Sequence, residues 1–137
     1  MQKKRVMLDT NTLVSAIACG SKAIMGIIDI LKREQSIVLC TYVLDELHGV
    51  ITRKFPHKSN EVWRFLYELP YELVYTPPNI EEKLFEIRDV KDYPILYTAI
   101  KEDVDILITG DKDFADIDIK RPEILTPSEF LEKYQGG

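Results

Sequence analysis

The strongest constraint on this chain is the stretch Arg5-Val6-Met7-Leu8-Asp9-Thr10-Asn11-Thr12-Leu13-Val14, an apolar run cut off by a carboxylate. Apolar residues without polar alternation suit a strand covered on both faces, as in a parallel sheet. Asp9 then stands at the carboxyl end of that strand, the edge at which open α/β sheets bind ligands. Thr10, Asn11 and Thr12 offer side-chain caps for a helix starting near Leu13. The same design returns in Asp105-Ile106-Leu107-Ile108-Thr109-Gly110-Asp111. Two such strands in one sheet bring two carboxylates to one edge.

The rest of the chain alternates helices and strands. A short helix is expected to about Cys19, stopped by Gly20, and a second one follows a Ser21 cap. Ile24, Ile27, Ile28 and Leu31 fall on one face of that second helix. Ser36 to Cys40 reads as a strand, and Thr41 as the cap of a helix to Lys54, broken at Phe55-Pro56. Ser59 or Asn60 opens a helix ended by Pro70, and Glu72 to Tyr75 is a short strand. Asn79 caps a short helix with Glu82 in the capping-box position. Asp92 opens a helix with Pro94 in its first turn. Asp105 to Thr109 is a strand, a turn of helix follows near Lys112 to Ala115, and Glu123 to Leu125 is the last strand. Thr126-Pro127-Ser128-Glu129 then starts a helix. The pattern predicts a three-layer α/β/α sandwich around a parallel sheet of about five strands. With no repeat or linker in 137 residues, one domain spanning 1–137 is expected.

Charge narrows the function. A net charge of −5 argues against coating nucleic acid through a basic surface. It allows a nucleic-acid enzyme whose negative site is neutralised by cations. Asp9 interrupts the apolar run after three residues, too short for a signal peptide, and no stretch approaches a membrane span. Cys19 and Cys40 lie among apolar neighbours without metal-type spacing and read as small core residues in a reducing cytosol. A cytoplasmic protein is expected.

The acidic residues carry the chemistry. Asp9 and Asp111 are the strand-end pair. In the helix from Tyr42 to Ile51, Val43, Leu44, Leu47, Val50 and Ile51 define the apolar face. Asp45 points away from it, while Glu46 falls at its border. Asp92 is in line with the inner face of its own helix, marked by Ile95, Leu96, Ala99 and Ile100, although Asp is also a good N-cap. Asp89 and Asp113 are nearby alternatives that also read as loop charges. Oxygen-only ligands from four elements suit Mg²⁺ or Mn²⁺ rather than zinc. His48 and His57 read as surface residues, and no nucleophile–histidine arrangement or glycine-rich phosphate loop is present. Phosphodiester hydrolysis is the natural chemistry of such a cluster.

These residues resemble the PIN-domain family of small ribonucleases, which includes VapC-like toxins. The likeness rests on Leu8-Asp9-Thr10-Asn11-Thr12-Leu13-Val14-Ser15-Ala16, on Glu46, and on Arg88-Asp89-Val90-Lys91-Asp92 with Ala99 seven residues beyond Asp92. It continues in Ile108-Thr109-Gly110-Asp111-Lys112-Asp113-Phe114 and in Ile124-Leu125-Thr126-Pro127-Ser128-Glu129-Phe130-Leu131. The resemblance implies a sheet in the order 3-2-1-4-5 and Mg²⁺- or Mn²⁺-dependent cleavage of RNA. It also implies a homodimer and, for a toxin, a small antitoxin partner. By position, Asp9, Glu46, Asp92 and Asp111 become the acidic quartet, with Asn11 and Thr109 as polar supports. The doubled acids leave the ligand choice open between Asp89 and Asp92 and between Asp111 and Asp113.

Two other enzyme classes place an Asp after a strand. A haloacid-dehalogenase-like phosphatase needs a second Asp where this chain has Asn11, and a receiver domain needs one after a middle strand. The rival from another class is a PIN-fold binding module without turnover. Two further features bear on partners. Val62, Trp63, Phe65, Leu66, Tyr67 and Leu69 make one helix apolar over more than one face, leaving Trp63 and Tyr67 for a partner chain. Arg53, Lys54, Lys58 and Arg64 stand against Glu61 alone. Arg53, Lys54 and Lys58 are therefore candidate contacts to RNA phosphates, which fix register without reading sequence.

Overall fold

A computed structural model of the protein describes residues 3–80, 85, 92–111, 114 and 117–134. Five strands form one parallel sheet in the order β3-β2-β1-β4-β5. They are β1 (Arg5–Leu8), β2 (Ser36–Cys40), β3 (Tyr71–Val74), β4 (Ile106–Ile108) and β5 (Glu123–Leu125). The helices are α1 (Thr10–Ile17), α2 (Lys22–Glu34), α3 (Thr41–Lys54), α4 (Ser59–Glu68), α5 (Tyr93–Lys101) and α6 (Pro127–Tyr134). A 3₁₀ turn, Pro56–Lys58, joins α3 to α4.

Burial explains the apolar runs. Val6, Met7 and Leu8 are all fully buried, as are Leu107 and Ile108, with Ile106 nearly so. Neighbouring strand residues point to opposite faces, so the centre of the sheet is covered on both. Register pairs Met7 with Val38 on one side and with Leu107 on the other. The inner stripe of α2 is Ile24, Ile27, Ile28 and Leu31, as its spacing predicts. Gly20, at φ +69°, turns the chain between α1 and α2 in a conformation that disfavours side chains. Cys19, beside this turn past the end of α1, is exposed rather than in the core, whereas Cys40 is buried as expected. Among the described residues, no single helix is long and apolar enough to cross a membrane.

Helix starts are where the structure departs from the sequence pattern. α1 begins at Thr10, not near Leu13, because Asp9 is itself the N-cap and accepts the Thr12 N–H. α3 starts at Thr41 but is not capped by it. Cys40 holds the N-cap position without a side-chain bond, and the Tyr42 N–H donates instead to the Thr76 hydroxyl at 3.3 Å. α4 continues out of the 3₁₀ turn, so neither Ser59 nor Asn60 caps it. β3 starts at Tyr71, one residue earlier than the pattern suggests. The predicted Asn79 helix runs into residues outside the description, and of the turn at 112–115 only Phe114 is described.

The expected aromatic pair on α4 is divided. Trp63 is half-buried and stacks on exposed His48, with ring centroids 5.4 Å apart. Tyr67 stays 91% exposed.

The start of α6 follows the sequence closely. The Thr126 N–H donates to Glu129 Oε1 at 2.9 Å, and the Glu129 N–H donates to Thr126 Oγ1 at 3.1 Å. This reciprocal box satisfies two N–H groups that a helix start otherwise leaves open. Thr126→Ala is expected to lower unfolding free energy by about 1 kcal/mol, and Thr126→Ser by much less. Urea titration of the two variants checks this; equal midpoints for the alanine variant and the parent would contradict it.

Candidate active site

Asp9 closes β1 and is only 3% exposed. Its Oδ1 accepts the Thr12 N–H at 2.9 Å, and its Oδ2 accepts the Thr109 hydroxyl at 2.5 Å. Burial pushes the Asp9 carboxyl above its ordinary range. The bonds from Thr109 and Thr12 pull it back, and the nearby Asp111 charge pushes it further up. Among the described residues no cation acts on it.

Thr109 is the joint between the two strand ends. It lies buried just past β4, where the register that sets Leu8 beside Ile108 brings Asp9 and Thr109 together. Its hydroxyl donates to Asp9 and accepts the Asp111 N–H at 3.0 Å. A hydroxyl has one proton, so accepting from Asp111 leaves that proton aimed at Asp9.

Glu46 reaches the same edge from α3. It is half-buried while Asp45 is exposed, matching the helical-wheel placement. Glu46 Oε1 accepts the Thr10 hydroxyl at 2.8 Å. Thr10 follows Asp9 directly, so the strand end grips two carboxylates through adjacent residues. Sequence pattern missed this use of Thr10, reading it as a cap. The contact joins residues 36 apart, and no local signal announces it.

Asp92 sits at the N-cap position of α5, half-buried, with its Oδ2 shielded from solvent and no capping bond to its own helix. α5 leads into β4, which is parallel to the rest of the sheet, so the start of α5 lies towards the carboxyl edge. Asn11 is exposed on the first turn of α1. Among the described residues, no three acidic, histidine or cysteine side chains stand close enough together to hold a metal ion. Asp89 and Asp113 lie outside the described residues. Every candidate donor is an oxygen, the type Mg²⁺ and Mn²⁺ take, and a buried Asp9 without a cation suits such an ion.

Of the basic candidates, Arg53 and Lys54 are exposed in the last turn of α3, and Lys58 is half-buried in the 3₁₀ turn. Arg53 folds back along its helix: a side-chain carbon at Gly49 would lie 3.7 Å from its Nη1. Steps of three and four residues connect Glu46, Gly49 and Arg53 on one stripe of the helix.

Comparison with protein families finds a match to the PIN domain over residues 5–113. The chain belongs to the PIN-domain family. The fold of this PIN domain is similar to VapBC2 from Rickettsia felis, solved bound to a DNA fragment from its promoter. That match has a TM-score of 0.69 at 21% identity, covering 89% of this chain and 98% of the other. It is also similar to VapC20 of Mycobacterium tuberculosis, described as a toxin that cleaves the sarcin–ricin loop. There the TM-score is 0.59 at 10% identity, covering 80% of this chain and 92% of the other. At such identities the likeness is one of fold. No curated protein matches the chain.

Because burial raises the Asp9 carboxyl, the folded PIN domain without metal holds that proton more tightly than the unfolded chain does. Ionised Asp9 therefore costs stability at neutral pH, and the cost fades as pH falls into the ordinary carboxylate range. Asp9→Asn is expected to stabilise the metal-free protein at about pH 7, with the gain shrinking towards about pH 4. Thermal unfolding of both proteins across this range checks the sign, and a gain that grows on acidification would refute it.

Proposed function

We propose that residues 1–137 form one nuclease domain that hydrolyses phosphodiester bonds of RNA with Mg²⁺ or Mn²⁺. The observation that carries this reading is the buried Asp9 carboxylate, held by the Thr109 hydroxyl and the Thr12 N–H with Asp111 beside it. Family membership and the fold shared with VapBC2 and VapC20 support it.

Asp9, Glu46, Asp92 and Asp111 would hold the ion, with Asp89 and Asp113 as alternative donors. A bound divalent ion supplies an activated water and neutralises charge building on the phosphate. Thr109 fixes the Asp9 carboxylate and, through the Asp111 N–H, the backbone beside it. Thr10 fixes Glu46, and Asn11, exposed on the first turn of α1, meets substrate or water. Arg53, Lys54 and Lys58 hold RNA phosphates outside the acidic edge, with Arg53 lying along the stripe that carries Glu46.

The domain acts in the cytoplasm as the toxin of a toxin–antitoxin pair, restrained by a small antitoxin protein. It works as a homodimer, with exposed Tyr67 as the natural contact. The alternative, a binding module without turnover, predicts RNA binding with no metal-dependent cleavage.

Asp9→Asn keeps the size of the side chain and removes its charge. It is expected to bring Mg²⁺- or Mn²⁺-dependent cleavage of single-stranded RNA down to background while the protein stays folded. Undiminished cleavage by the purified variant would exclude this mechanism. Replacing Arg53, Lys54 and Lys58 together by Ala should weaken RNA binding and flatten the plot of log affinity against log salt by about 2, since each lost phosphate contact removes about 0.7 from the slope. An unchanged slope would leave those residues as a solvated surface.

A further inference from the structure

Three threonines form a hydrogen-bonded chain that the nuclease chemistry does not call for. Thr41 is the first residue of α3, Thr76 follows β3, and Thr98 lies in α5 with no exposure at all. The Thr76 N–H donates to the Thr41 hydroxyl at 3.0 Å, and the Tyr42 N–H donates to the Thr76 hydroxyl at 3.3 Å. The Thr98 hydroxyl lies 3.1 Å from that of Thr76 and 2.7 Å from the Pro94 carbonyl, to which it donates.

The two ends of the chain give it meaning. One end is the start of α3, five residues before Glu46. The other is the Pro94 carbonyl in the first turn of α5, two residues after Asp92. A threonine bonded back to the carbonyl four residues earlier bends a helix locally. Here the same hydroxyl is also tied to Thr76 outside the helix, so the first turn of α5 is anchored from outside α5. Asp9, Asp111 and Glu46 are joined through Thr109 and Thr10. The threonine chain links the element that carries Asp92 to the one that carries Glu46.

We infer that Thr98, acting through Thr76, is a positioning residue that fixes the first turn of α5 and so places Asp92 for metal binding. This rests on the nuclease reading for the metal, though not for the placement of Asp92. Thr98→Val keeps the volume and removes the hydroxyl, whereas Thr98→Ser keeps the hydroxyl.

The test uses the full chain and Mn²⁺ alone. Free Mn²⁺ is read by paramagnetic resonance, and the Asp92 and Tyr93 amides of the metal-free protein are read by NMR. Thr98→Val is expected to shift those amides, speed their hydrogen exchange and weaken Mn²⁺ binding at least about tenfold, as losses of groups that orient a ligand do. Thr98→Ser should restore all three. In RNA cleavage, the Val variant should need more Mn²⁺ for half-maximal rate while keeping kcat at saturating metal. Unmoved Asp92 and Tyr93 amides, or Mn²⁺ affinity equal to the parent's, would overturn the inference. If Thr98→Val does not fold, Thr76→Val cuts the chain at its half-buried joint and is judged by the same readings. A parent protein that binds no Mn²⁺ would refute the nuclease reading, and the metal-free spectra would still decide whether Thr98 places Asp92.

Discussion

The burial of one carboxylate sets the terms for the rest of this structure. An ionised group taken out of water is costly unless donors or counter-charge meet it. Asp9 meets two donors, one local and one that depends on long-range order. The Thr12 N–H exists as a free donor because α1 starts at Thr10. The Thr109 hydroxyl arrives only through the parallel pairing of β1 with β4. A slip of one residue in that register would bring an apolar side chain or Gly110 to the same place and leave Asp9 without the Thr109 hydroxyl. The apolar runs in β1 and β4 therefore do more than fill a core, since they hold the pairing that makes Asp9 tolerable.

The two edges of the sheet treat their acids differently. At the amino edge, Arg5 pairs with Glu72 at 3.0 Å and Arg121 with Asp105 at 2.6 Å, while the Arg5 N–H donates to Asp105. Those charges are cancelled by guanidinium groups. At the carboxyl edge, Asp9 and Glu46 are met by hydroxyls and a backbone N–H. A hydroxyl orients a carboxylate and leaves its charge in place. Among the described residues, guanidinium groups thus meet the acids at one edge, while neutral donors orient Asp9 and Glu46 at the other.

Much of this was legible in the sequence because period and charge are local signals. The extent of β2 and β5, the inner stripe of α2 and the box at Thr126 all follow from neighbouring residues, and so do the orientations of Asp45 and Glu46. What escaped was set by contacts between distant residues. Asp9 displaced Thr10, Asn11 and Thr12 as cap because its carboxylate could serve the helix and the site at once. Thr41 gave up its capping role, and its hydroxyl instead accepts the N–H of Thr76, brought in by the pairing of β3 with β2. Thr10 bonds Glu46 only once α3 is folded against α1. The positions of the acids could be read from strand ends and helix faces, whereas the hydroxyls that hold them could not.

The strand order has a consequence in time. β1 comes first of the five strands along the chain and is the middle strand of the sheet, and one of its neighbours, β4, begins about a hundred residues later at Ile106. A chain emerging from the ribosome carries Asp9 from the outset. It lacks Thr109 and Asp111 until β4 has followed, and pairings between such distant segments form slowly. A fragment cut short before β4 holds the first carboxylate without its hydroxyl or its neighbour, so the acidic edge is completed only once β4 and the residues just past it are present.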